Sequence, residues 1–161
     1  MRALLKPRHW LCLPTAFAMV LDRSLDDLFL RLGHDGGEII WPTLPEPLCR
    51  RGFHVQELIN VCLSLGYAAT RIELMPCATP DEFEHVREVL PEDIAWARFT
   101  AAVRNSCGVM EGQGFRCGHA VAYDHGHIFD PDGGEYAYSR EACEQRHFFT
   151  RHLWRIDRIE G

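Results

Sequence analysis

Three residues that lie far apart in the chain have the types and settings that thiol chemistry needs. Cys12 stands inside HWLCLPTAFAMVLD (residues 9–22), directly ahead of a nearly unbroken apolar run. A thiol is a useful nucleophile only as thiolate, and a helix start together with a neighbouring imidazolium favours that form. His119 and Asp130 lie in CGHAVAYDHGHIFDP (residues 117–131), where two alternating runs flank His125-Gly126. That dipeptide suits a two-residue hairpin turn, which sets Val121 opposite Asp130 and Asp124 opposite His127. Alternation along the strands then puts His119, Val121 and Asp130 on one face, with Asp130 diagonal to His119 and His127 on the other face. An imidazole oriented by a carboxylate and placed beside a thiol is an arrangement for acyl transfer through a covalent intermediate.

The elements around these residues have to bring them together. Proline is tolerated in a first helical turn, so the run after Pro14 predicts a helix, and its apolar character on every side predicts a central, buried one. Ser24 opens SLDD as a helix cap and Gly33 closes the helix that follows. GHDGGEIIWPTLPEP then reads as a long irregular loop, whose Asp35, Glu38 and Trp41 either line a cleft or cover a sheet edge. FHVQELINVCLSLGY is amphipathic, with Val55, Leu58, Ile59, Cys62 and Leu65 on one face and Gly66 as the stop. YAATRIEL predicts a strand. PDEFEHVREVL and EDIAWARFTAAVRNS predict two helical pieces divided by Pro91. The last third holds short β-prone runs, CGVMEG, HAVAYD, HIFDP, EYAYS and HFFTRHLWRI, around one brief helix capped by Ser139. Helices first and an antiparallel sheet after predict an α+β fold, one domain spanning residues 1–161.

Composition narrows the function classes. The chain is 47% hydrophobic and 25% charged, an ordinary globular balance. Its net charge of -6 excludes a general binder of nucleic acid or anionic membrane, both of which need a basic surface. No stretch reaches the roughly 18 apolar residues of a membrane span. Arg2, Lys6 and Arg8 before the apolar run imitate a secretory leader, but Pro14 interrupts the run and Asp22 and Arg23 end it. Seven cysteines, an odd number without a CxxC pair, point to free thiols in a reducing, cytoplasmic compartment.

Each residue also has a plainer reading. A cysteine beside an apolar helix is ordinarily packing, and Cys49, Cys62, Cys77, Cys107 and Cys143 are read that way. His119 alone could be a satisfied core histidine, and Asp130 before Pro131 a turn initiator. Their shared strand face is what raises them above that. Cys117, His119, His125 and His127 form a rival zinc set, yet the hairpin sends His119 and His127 to opposite faces, so neither a metal nor another cofactor is expected. His125 reads as an exposed turn residue, and Tyr136, Tyr138 and Trp154 as core and sheet packing.

A cysteine opening a central helix within CLPTA, then GHAV on a strand, then an acidic residue in DP, resembles the papain-like cysteine peptidases. The closest likeness is to their compact bacterial double-glycine-peptidase-like branch, carried by residues 12–20 and 118–131. The resemblance implies a papain-like fold, with the nucleophile helix packed on the C-terminal antiparallel sheet. It also implies Cys12 as nucleophile, His119 as general base and Asp130 as the residue that orients it. The expected activity is that of a peptidase, isopeptidase or amide hydrolase acting on a peptide or protein acyl donor. A transglutaminase-like acyltransferase and a catalytically silent binding protein are the alternatives. The family's oxyanion-donating Gln falls some six residues before the cysteine, where this chain has Lys6 and neither Gln nor Asn. The backbone N–H of Cys12 supplies one donor, and His9 and Trp10 are candidates for the second.

Overall fold

The computed structural model describes residues 1–74, 91–114 and 117–159. The expected helix over PDEFEHVREVL, and Cys77, lie outside these residues. Three helices come first: α1 (Cys12–Leu21), α2 (Leu25–Leu32) and α3 (Val55–Ser64). Helix α1 begins on Cys12 itself, with Pro14 inside the first turn, where its missing N–H costs nothing. The Ser24 hydroxyl accepts from the Asp27 N–H to cap α2, and Gly33, at a φ of 76°, ends that helix in the left-handed conformation. Strand β1 (Tyr67–Glu73), helix α4 (Glu92–Asn105), strands β2 (Cys107–Gln113), β3 (Gly118–Asp124), β4 (His127–Phe129) and β5 (Glu135–Ala137), helix α5 (Arg140–Gln145) and strand β6 (Phe149–Arg158) follow.

The six strands form one antiparallel sheet in the order β1-β6-β2-β3-β4-β5. The β3–β4 hairpin has the expected register, Asp124 opposite His127 and Ala122 opposite Phe129. His125 and Gly126 turn it with φ of 46° and 85°, both positive as a type I′ turn requires. The sequence order of helices before strands is incomplete, however. Strand β1 precedes α4 and, among the described residues, joins the sheet only through β6.

Apolar side chains cover both faces. Ala120 and Ala122 of β3, Val109 of β2 and Ile156 of β6 pack with Ala16, Phe17 and Met19 of α1, Leu28 of α2 and Leu58 and Cys62 of α3. The alternate residues Met110, Val121, Tyr123 and Leu153 pack on the other side with Phe99 and Val103 of α4 and with Phe148. The result is helices, sheet and a further helix in three layers. Helix α1, buried from Pro14 to Met19, is the central helix its apolar run predicts. Tyr136 and Tyr138 are buried as expected, as are Cys49, Cys62 and Cys143, whereas Cys107 is half-buried. Among the described residues no helix is long and apolar enough to cross a membrane.

Candidate active site

The three predicted residues meet at the end of the sheet where β3 begins. His119 Nε2 lies 2.9 Å from Asp130 Oδ1, so the carboxylate accepts from that nitrogen and the other ring nitrogen, Nδ1, is left for Cys12. The Cys12 thiol lies close enough to the ring to act on its charge. All three side chains are half-buried. Strand alternation makes the route between them different from the one the hairpin alone implies. The residues of β3 that face α1 are Ala120 and Ala122, while His119 belongs with Val121 on the α4 side, its ring edge-on to Phe148 at 5.6 Å. The imidazole therefore reaches Cys12 around the end of the sheet, not across the face on which α1 lies.

Two opposing effects set the charge of His119. Burial pushes its pKa down, but hydrogen bonds to Asp130 and Cys12 and the charge of Asp130 outweigh burial and raise it to about 9. Burial likewise pushes Asp130 up, and its bond to His119 reverses this, so its carboxyl is held below the ordinary range. Asp130 also accepts from the Asp132 N–H at 2.8 Å, an Asx turn that fixes the carboxylate just beyond β4. Asp132 in turn pairs with Lys6 Nζ at 2.6 Å, and the Lys6 N–H donates to the Pro131 carbonyl at 2.9 Å. Lys6 thus clamps the turn that carries Asp130.

Local structure also shapes the thiol's surroundings. No side chain caps α1 and Pro14 has no N–H, so the first turn offers the N–H groups of Cys12 and Leu13. Of the two candidate second donors, Trp10 is already engaged: its Nε1–H donates to the Asp35 carbonyl at 3.2 Å. His9 lines a cavity of about 720 Å³ together with His119. The amide of Gln113, at the end of β2 opposite Gly118, donates to the adjacent Gly114 carbonyl at 3.4 Å. Sequence reading passed over Gln113, which lies 101 positions beyond Cys12 and has no local signal.

The long loop does wall this cavity, through Glu46 and Pro47 rather than through Asp35, Glu38 and Trp41. Arg50 holds it, donating to the Gly37 carbonyl at 2.6 Å and lying over the Trp10 ring at 4.7 Å. No protein-family model matches the chain, and no curated protein matches its sequence.

The zinc set read from sequence is not the group that converges. His125 turns to Asp124 at 2.7 Å, largely exposed, and His127 lies 3.8 Å from Glu135. Among the described residues the ligand atoms that gather are those of His119, Asp130 and Asp132, within 4.8 Å of one another. Lys6 already supplies a positive charge to Asp132 there. The arrangement is one of thiol, imidazole and carboxylate in series, with a cationic clamp on the carboxylate turn. Chemically it can hold a thiolate against an imidazolium and return a proton from that imidazolium to a departing group.

Proposed function

We propose that the protein is a cysteine-dependent acyl-transfer enzyme of papain-like fold, most simply an amide hydrolase or peptidase. One observation carries the proposal: His119 has a thiol that opens a helix on one side and a half-buried carboxylate on the other. In this reading the Cys12 thiolate attacks an acyl carbonyl and a C–S bond forms as the bond to the leaving amine breaks. His119 Nδ1 protonates that amine, and water then releases the acyl group. The Cys12 N–H and a side chain such as His9, which lines the cavity with His119, receive the developing oxyanion; losing such a donor elsewhere costs about 10²–10³ in rate. The acyl donor is a peptide or protein, and neither metal nor organic cofactor takes part.

A second reading, a silent scaffold that binds a partner, is favoured by Lys6 at the Gln position and by the engaged Trp10 indole. Reaction with p-nitrophenyl acetate separates the two. The enzyme reading expects a burst of about one nitrophenolate per chain and an acetyl group mapped to Cys12 by mass spectrometry, both lost in Cys12→Ser. A burst that survives Cys12→Ser, or none at all, rejects it.

A further inference from the structure

We propose that the cavity beside His119 is the leaving-group side of the site and accepts an amine that carries a carboxylate, held by Arg146. The inference rests on reading Cys12 as the nucleophile and adds the chemical class of the group on the far side of the scissile bond. His119 lines the cavity and Cys12 does not. In acyl transfer the fragment that exchanges a proton with the imidazole is the amine, so the space against His119 and away from the thiol belongs to that fragment.

Charge pairing in the wall then selects the ligand. Asp130 faces His119 at 2.9 Å, Asp132 faces Lys6 at 2.6 Å, and Glu46 faces Arg50 at 2.5 Å. Each wall carboxylate therefore has its own cation. Arg146 differs: among the described residues no carboxylate lies within ion-pair distance of it. One N–H donates to the Ala142 carbonyl at 3.0 Å and the guanidinium lies over the Tyr136 ring at 4.0 Å. These contacts fix its position without neutralising it, leaving further N–H donors for a planar anion, which a guanidinium binds in bidentate fashion.

Position sets the length of the ligand. Arg146 precedes by two residues the Phe148 whose ring packs on His119, and the turn through His147 keeps the two closer than the ~7 Å of an extended span. Gly114, Gly118 and Gly133 line the same space without side chains, which leaves room for a peptide main chain. A carboxylate one or two residues beyond the scissile nitrogen fits this spacing.

The reverse step tests the proposal. With Cys12 acetylated by p-nitrophenyl acetate, an amine attacks the thioester carbon, gives its proton to His119 Nδ1, and the C–S bond breaks to restore the thiolate. Three acceptors at equal free-amine concentration are compared: glycylglycine, with a terminal carboxylate; glycylglutamate α-amide, whose one carboxylate is at the γ position; and glycylglycinamide, which has none. Glycylglycine or the γ-carboxylate compound should deacylate the enzyme about tenfold faster than the neutral amide, and the faster of the two identifies the source of the carboxylate. In Arg146→Ala the advantage should fall to within about twofold while the burst is kept; Arg146→Gln serves if the alanine variant does not fold. A full burst with equal rates for charged and neutral acceptors, or an advantage that survives the loss of Arg146, overturns the inference and leaves the enzyme reading standing. Absence of the burst in the wild type overturns both.

Discussion

Two histidine–carboxylate pairs sit one register step apart in the sheet and have come to opposite ends. His119 pairs with Asp130, and on the neighbouring strands His152 Nε2 lies 2.7 Å from Glu111 Oε2. Gly112 is opposite His119 and Glu111 is opposite His152, so the pairs occupy opposite faces of adjacent positions. Around Glu111 every nearby group closes the site. Trp154 Nε1 donates to the same carboxylate oxygen at 2.5 Å, and Arg71 lies over the Trp154 ring at 5.6 Å. Burial pushes Glu111 up, but its bonds to His152 and Trp154 bring it below the ordinary carboxylate range. Around His119 one ring nitrogen remains for a thiol, and a cavity opens beside it. A buried imidazole with a carboxylate is therefore not a site in itself; what the second ring nitrogen meets makes the difference.

The largest contrast should appear in thiol reactivity. Near neutral pH, iodoacetamide should label Cys12 ahead of the other thiols, and His119→Ala should slow that labelling about a hundredfold, because an imidazolium partner stabilises the thiolate. His152→Ala should change it by less than about twofold. Equal slowing by both variants, read by peptide mass spectrometry, would erase the distinction between the pairs.

Stability against pH sharpens the contrast next. The pKa of His119 is raised in the folded state, so its protonated form adds stability that is complete below about 6.5 and is lost as pH rises towards about 9. The stability difference between wild type and His119→Gln should shrink across that window by up to about 3 kcal/mol, measured by urea denaturation. Asp130 and Glu111 have lowered pKa values, so their contributions hold above the ordinary carboxylate range and fall away on acidification. A flat difference between pH 6.5 and 9 would contradict the charge state assigned to His119.

The smallest effect concerns the closed pair. Glu111→Ala removes the acceptor for both His152 and Trp154 and should cost about 1–3 kcal/mol of stability without altering the labelling of Cys12. A labelling change as large as that of His119→Ala would show that the two faces are coupled.

What could be read from the residues themselves was local. The His125-Gly126 turn demands positive φ at two neighbouring positions, and that chemistry alone sets the hairpin register and hence the approach of Asp130 to His119. Ser24 and Gly33 mark their helix for the same reason. Which face α1 would cover was not legible, because β3 is apolar on both sides and its alternation favours neither. The pairing of β1 with β6 and of Glu111 with His152 joins residues at least 41 positions apart in the chain, with no turn to announce it. Lys6 could be seen to stand where a Gln was expected, but its clamp on Asp132 depends on a meeting of the first residues with the β4–β5 turn. Gly112 belongs to the same class: a Cβ there would collide with the Phe149 carbonyl oxygen, a constraint visible only once β6 lies beside β2.

Strand β6 is the last strand in the chain, yet it lies inside the sheet, between β1 and β2. During synthesis Cys12 leaves the ribosome ahead of all six strands, and the strand that joins β1 to the rest of the sheet emerges after the other five. Until it does, β2 has one open edge and β1 has no neighbour to hold it. A fragment cut short before residue 149 would carry Cys12, His119 and Asp130 without the strand that completes the sheet around them.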